Sequence, residues 1–203
     1  PLRSPANEQL DGVALLLDDV SEKKRVESLR RYLPPALVDR VRDLDAAQRP
    51  QRRLLTVLFA DIRDFTRFAE YLDPEALIDL VNGFFSEAVT AISEHQGLID
   101  KFTGDAVMAL FNTPLNPQTD HIEQAVWAAL RIQARLAAYQ RGLPPEQVLH
   151  VGIGIHTGEA VAGHLGSAPR KDHSAVGDVV NLGKRLQEMA GRDEILVSRD
   201  VYE

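Results

Sequence analysis

Leu54-Leu55-Thr56-Val57-Leu58-Phe59-Ala60-Asp61 and Ile99-Asp100-Lys101-Phe102-Thr103-Gly104-Asp105-Ala106-Val107-Met108-Ala109-Leu110-Phe111 decide how this chain folds. The first is a short apolar run that stops on a carboxylate, the pattern of a buried strand. The second is broken at Gly-Asp between two apolar stretches, the signal of a β-hairpin. Strands read this way should be sheet neighbours, so Asp61 and Asp105 can converge on one sheet edge. Two hard oxygen ligands there suit Mg²⁺ or Mn²⁺. Metal held in that way suggests polyphosphate chemistry, in which cations neutralise moving charge. Each aspartate also has a plainer reading, Asp61 as a helix cap and Asp105 as a turn residue. The pair carries more than either member, because like charges brought together are costly without a cation between them.

The flanking sequence alternates. A helix over Pro74–Glu94 carries Leu77, Leu80, Val81, Phe84, Phe85, Ala88 and Ile92 at helical spacing. After the hairpin Leu98–Phe111 comes a helix from Asp120 to Arg141. Val148–Thr157 and Glu159–Gly163 read as two strands of a second hairpin. Asp178–Ala190 is a further helix and Glu194–Ser198 a last short strand. This β-α-β-β-α-β order predicts an α+β, ferredoxin-like mixed sheet with helices on one face, preceded by a helical linker.

Upstream, residues 1–10 are polar with prolines at 1 and 5, and little order is expected there. Gly12-Val13-Ala14-Leu15-Leu16-Leu17 reads as a strand that ends in Asp18-Asp19-Val20-Ser21, with Ser21 as the N-cap of a helix. Val26, Leu29 and Leu33 form a narrow stripe on that helix, fit for a dimeric stalk or for docking on its own domain. Pro34-Pro35 ends it, a second helix carries Leu37, Val41 and Leu44, and Asp45–Arg53 is a linker. Leu10–Glu27, with its Asp19-Val20-Ser21 junction, resembles the last strand and exit helix of a PAS sensor domain. The expected divisions are 1–21 as the end of such a sensor or disordered chain, 22–51 as signalling helix and linker, and 52–203 as one domain.

Bulk properties narrow the function. With 203 residues and 44% apolar content the chain can build one compact domain and an appendage. It has no cysteine, which removes disulfides, thiolate metal sites and cysteine nucleophiles. No apolar run is long enough to cross a bilayer and no signal peptide stands at the start, so direct membrane insertion is not expected. The expected compartment is the cytoplasm, with tethering of a longer protein left open. Net charge is −7, with 11 Lys/Arg against 9 Asp/Glu in residues 1–53 and 12 against 21 beyond. An acidic body argues against nucleic acid as a partner, since that needs cations on phosphates.

Four blocks then carry a family resemblance. Phe59-Ala60-Asp61-Ile62-Arg63-Asp64-Phe65-Thr66, Lys101 to Phe111, Gly152-Ile153-Gly154-Ile155-His156-Thr157-Gly158 and Val176-Gly177-Asp178-Val179-Val180-Asn181-Leu182-Gly183-Lys184-Arg185-Leu186 resemble the class III nucleotide cyclase catalytic domain. The resemblance implies that Asp61 and Asp105, with the Ile62 backbone, hold two Mg²⁺ or Mn²⁺ ions per active site. It implies that the backbone from Ile62 through Phe65 and Thr66 cradles the terminal phosphates, and that Gly104 in the hairpin also binds substrate. Lys101 and Ser174 match the purine-reading positions. Asn181 and Arg185 match the pair that holds the ribose and stabilises the transition state. Their i,i+4 spacing puts both on one helix face, and a planar guanidinium suits an equatorial phosphate oxygen.

Lys101 offers donors only, so it suits adenine N1, an acceptor, whereas guanine presents N1–H and would want a carboxylate. The implied activity is adenylate cyclase: ATP is converted to 3′,5′-cyclic AMP and pyrophosphate, under control of an N-terminal sensor. The family works as a head-to-tail homodimer with composite sites, and the same is expected here. Asp64 stands where the family usually has glycine, which puts a carboxylate beside the triphosphate. A further phosphate-binding lysine of the family lies beyond Glu203, so the domain is expected to continue past this point. His150, His156, His164 and His173 follow no metal spacing and are read as structural or solvated. A diguanylate cyclase is the rival enzyme of similar plan, but Gly-Gly-Asp-Glu-Phe is absent. A guanylate cyclase, or a silent cyclase-like module that only dimerises and relays a signal, remain as alternatives.

Overall fold

A computed structural model describes residues 49–167 and 170–203, together with the backbone of Leu2–Arg3 and Leu10–Gly12. Where little order was expected before Leu10, Leu2–Arg3 pairs antiparallel with Leu10–Gly12. The expected stalk helix at 22–33, the helix from Pro35 and most of the linker lie outside the described residues.

The main domain begins with β1 (Gln51–Ile62), followed by α1 (Phe65–Tyr71) and α2 (Pro74–Glu94). The hairpin β2 (Leu98–Thr103) and β3 (Ala106–Phe111) comes next, then α3 (His121–Tyr139). β4 (Val151–Ser167), β5 (Arg170–Val176), α4 (Asp178–Met189), β6 (Ile195–Val197) and α5 (Arg199–Tyr202) complete it. The strand order is β2-β3-β1-β4-β5, all antiparallel, with β6 added parallel to β4. The sheet is therefore mixed, and β2-β3-β1-β4 is the ferredoxin-like core.

Alternation along β1 sorts the core into two faces. Leu58, Ala60 and Ile62 face α2 and α3 and share a cluster with Phe84, Ile92, Phe111 and Ile132. Leu55, Val57 and Phe59 face the other way, with Met108, Leu110 and Val179. The two helices of the β-α-β-β-α-β unit thus share one face, and α4, outside that unit, covers the other. α4 comes down to backbone contact: a Cβ added at Gly154 would lie 2.2 Å from the Gln187 nitrogen, and one at Gly183 would lie 2.4 Å from Val57 Cγ2. By length and composition α2 is, against the expectation from sequence, apolar enough to cross a bilayer. Here Leu80, Phe84, Ala88, Ala91 and Ile92 turn its apolar side into the core.

The expected hairpin at Thr157-Gly158 is not formed. β4 runs unbroken past Gly158, because all twelve residues of β1 pair with it, from Ile62↔Val151 to Gln51↔Ala162. A continuous ladder satisfies the backbone groups that a turn would leave open. Gly158 instead leaves room for Val179 at the start of α4, 3.4 Å from where a Cβ would stand. The true partner of the far half of β4 is β5, which carries Ser174 opposite Gly163.

Candidate active site

β1 and β3 end side by side, with Asp61 opposite Ala106 and the Ile62 N–H directed at the Asp105 carbonyl (3.4 Å). Gly104, at φ +63° in the first position of the two-residue turn, takes the conformation such a hairpin needs. That turn puts Asp105 beside Asp61. Burial, then the neighbouring Asp61 carboxylate, push Asp105 up to about 6. The two carboxylates stand close enough to repel each other when both are charged. With hard oxygen donors in that state, the pair fits a divalent cation such as Mg²⁺ or Mn²⁺.

Asp61 is held from three sides. Its Oδ2 accepts from Gln187 Nε2 at 2.8 Å and from an Arg63 Nη at 3.3 Å, and Lys184 Nζ stands 3.5 Å away. Gln187 is fully buried. Neither Lys184 nor Gln187 was singled out from sequence, although their i,i+3 spacing on the Asn181/Arg185 helix would have put them on a common side of it.

After β1 the chain turns at Asp64, whose φ of 57° is left-handed. That conformation explains why a glycine is usual here; aspartate is among the few residues that tolerate it. The Asp64 carboxylate is drawn away by Arg192, whose guanidinium makes bonds of 2.6 and 2.9 Å to one oxygen. Phe65 and Thr66 open α1, where backbone N–H groups have no acceptor within the helix.

The remaining candidates do not gather around Asp61. Asn181 and Arg185 are exposed on α4, on the side away from the sheet. Gln187 is two residues beyond Arg185, hence on nearly the opposite side of the helix. A β-bulge between Ile99 and Lys101 brings Lys101 opposite Met108, on the α4 side of the sheet, where its amine lies 3.2 Å from Asp100. Ser174 is buried at the other end of β1: its partner Gly163 adjoins Ala162, which pairs with Gln51. Gln51 to Asp61 spans about 33 Å of extended strand. One chain therefore brings together Asp61, Asp105 and the turn to Thr66, and holds Asn181, Arg185 and Ser174 apart from them.

Of the four histidines read from the sequence as structural or solvated, two make side-chain bonds within the domain. His150 bonds Asp193 at 2.5 Å and His156 bonds Ser198 at 2.7 Å. Burial, and then the His164 charge, push His173 down to about 4. Among the described residues no three His, Asp or Glu side chains gather as a metal cluster.

Residues 48–203 match the family described as the adenylate and guanylate cyclase catalytic domain. Adenylate cyclase 1 of Rhizobium meliloti is 38% identical over 143 residues, which is 68% of this chain but 21% of that protein. The chain thus spans about a fifth of that relative's length. The guanylyl cyclase Cya2 superposes with a TM-score of 0.70 at 35% identity, over 75% of this chain and 78% of its own. The adenylyl cyclase CyaB of P. aeruginosa does so with a TM-score of 0.70 at 34% identity, over 76% and 81%. Overall likeness is therefore equal for an adenylyl and a guanylyl enzyme, and base choice has to be argued from single residues.

Proposed function

This chain belongs to the adenylate and guanylate cyclase catalytic-domain family, and from that premise we propose that it is an adenylate cyclase. The observation that carries the reading is the closeness of Asp61 and Asp105 at one sheet edge, while Asn181 and Arg185 stand free on the outer side of α4. Asp61, the Ile62 backbone and Asp105 would hold two Mg²⁺ or Mn²⁺ ions, which supply charge neutralisation and acidify the ribose 3′-hydroxyl.

The ribose 3′-oxygen attacks the α-phosphorus of ATP, forming the 3′ ester. The bond from that phosphorus to the oxygen bridging to the β-phosphorus breaks, and pyrophosphate departs. The 3′ proton leaves to solvent. Gly104 and the backbone through Phe65 and Thr66 position the phosphates, and the Asp64–Arg192 pair keeps a carboxylate off them. Asn181 orients the ribose, and Arg185 stabilises the equatorial oxygens of the transition state.

The active species is a head-to-tail homodimer in which one chain supplies the metal half and its partner supplies Lys101, Ser174, Asn181 and Arg185. The opposite aspects of Gln187 and Arg185 on α4 support this, as does the length of β1 between Asp61 and Ser174. Control by an upstream sensor rests on the resemblance of Leu10–Glu27 to the end of a PAS domain. A cytoplasmic setting fits the need for ATP.

Lys101, a donor without acceptors, argues for adenine. The likeness to a guanylyl cyclase favours GTP as the second reading. A product assay with ATP and GTP, each with Mg²⁺ or Mn²⁺, tests both. Cyclic AMP is the expected product; a preference for GTP overturns the base assignment. No product from either nucleotide overturns the catalytic reading in favour of a silent relay module.

A further inference from the structure

Three donors converge on a single oxygen of Asp61, and they differ in how firmly they are held. Gln187 is fully buried and donates at 2.8 Å. Arg63 is close by in sequence and mostly buried, its Nε packed where a Cβ on Gly152 would stand, at 2.7 Å. Lys184 is different: its side chain is 39% exposed, its amine lies 3.5 Å from Asp61 Oδ2, and it donates to Gln187 Oε1 at 2.5 Å. Its charge also acts on Asp105.

We propose that Lys184 is a resident counter-cation of the Asp61/Asp105 pair, parked by Gln187, which a divalent ion must displace on binding. The proposal rests on reading the two aspartates as metal ligands. Only Lys184 among the three donors can leave without disturbing the fold: it is long, flexible and reaches in from the rim of α4. Gln187, being neutral and buried, would stay and keep Oδ2 engaged while Asp61 and Asp105 held the ion. Lys184 thereby sets a threshold of metal concentration below which the carboxylates remain paired with the protein's own charge. The same helix presents Asn181 and Arg185 to solvent on its other side. Metal arrival at one half-site thus acts on the element that serves the partner's site.

The test is direct Mn²⁺ binding by electron paramagnetic resonance, on the full 203-residue chain without nucleotide. Lys184→Met should bind Mn²⁺ about three- to ten-fold tighter than wild type, the range expected for removing one partly exposed competing charge. Lys184→Arg should stay near wild type. A neutral Lys184→Gln replaces the Met variant if that one does not fold. An unchanged or weaker dissociation constant in the neutral variants, with wild-type binding that Asp61→Asn abolishes, overturns the counter-cation alone. Wild-type binding that Asp61→Asn leaves intact overturns the metal assignment and this proposal with it. A lysine whose only role was to hold substrate phosphate would leave nucleotide-free Mn²⁺ binding unmoved.

Discussion

The metal half and the nucleotide half of the candidate site are built on different plans. Around Asp61 a single chain supplies everything: a long strand to place the carboxylate, a tight hairpin to bring Asp105 beside it, Gln187 and Arg63 to fix its orientation, and Lys184 as a nearby charge. Asn181 and Arg185 have the reverse character. They are exposed, on the outer side of a helix whose inner side is pressed into the sheet at Gly154 and Gly183. The contrast teaches that preorganisation is concentrated where like charges have to be held together. The exposed half has no such cost to meet within one chain.

The comparison can be broken most sharply by removing a metal carboxylate. Asp61→Asn or Asp105→Asn should lower turnover by roughly 10³-fold, at least as much as loss of one transition-state donor, while circular dichroism stays native. Near-wild-type turnover with Mg²⁺ in either variant would remove the metal half altogether. Arg185→Ala should cost about 10²-fold or more in kcat with little change in melting temperature, because the residue is exposed. Mixing Asp61→Ala chains with Arg185→Ala chains should then recover up to roughly a quarter of wild-type activity, one intact site in half of the dimers. Verified heterodimers without activity would mean that the two halves are not shared.

A further outcome concerns stability on β5, next to Ser174. His173 is 2% exposed and its pKa is depressed to about 4, so the folded state keeps it neutral. Unfolding restores an ordinary histidine near 6.5 that takes up a proton. Stability contributed by the neutral form is present above about 6.5 and lost as pH falls toward 4, by roughly 2–3 kcal/mol. Urea denaturation at both pH values measures it, and His173→Phe should flatten that part of the profile. The smallest effect is expected at the phosphate turn. Arg192→Ala frees the Asp64 carboxylate and should raise KM for metal–ATP a few-fold; Asp64→Gly in the same background should reverse the rise. If the double variant stays impaired, Arg192 acts on substrate by another route.

Much of this was legible in the chain. The helix Pro74–Glu94 and the hairpin Leu98–Phe111 stand at the residues expected, because long periodic runs and a Gly-Asp turn are strong local signals. Asp64 in a glycine's place was visible, and its rescue by Arg192 was not, since 128 residues separate them. The supposed turn at Gly158 failed for the same kind of reason: a local turn signal was overridden by a twelve-residue ladder with β1. Ser174 was found by its distance from Asn181, while the strand it lies on went unread.

By itself the sequence determined the family, the two aspartates and the helix face that carries Asn181 and Arg185, because motif chemistry and helical period are local properties of neighbouring residues. Only the tertiary structure decided that α4 lies on the opposite face from α2 and α3, and that Lys184 and Gln187 reach Asp61. It also decided that Asp61 and Ser174 stand at opposite ends of β1. Those relations depend on how close two backbones can approach and on strand register, which Gly154, Gly183 and the β1–β4 ladder set through space rather than along the chain.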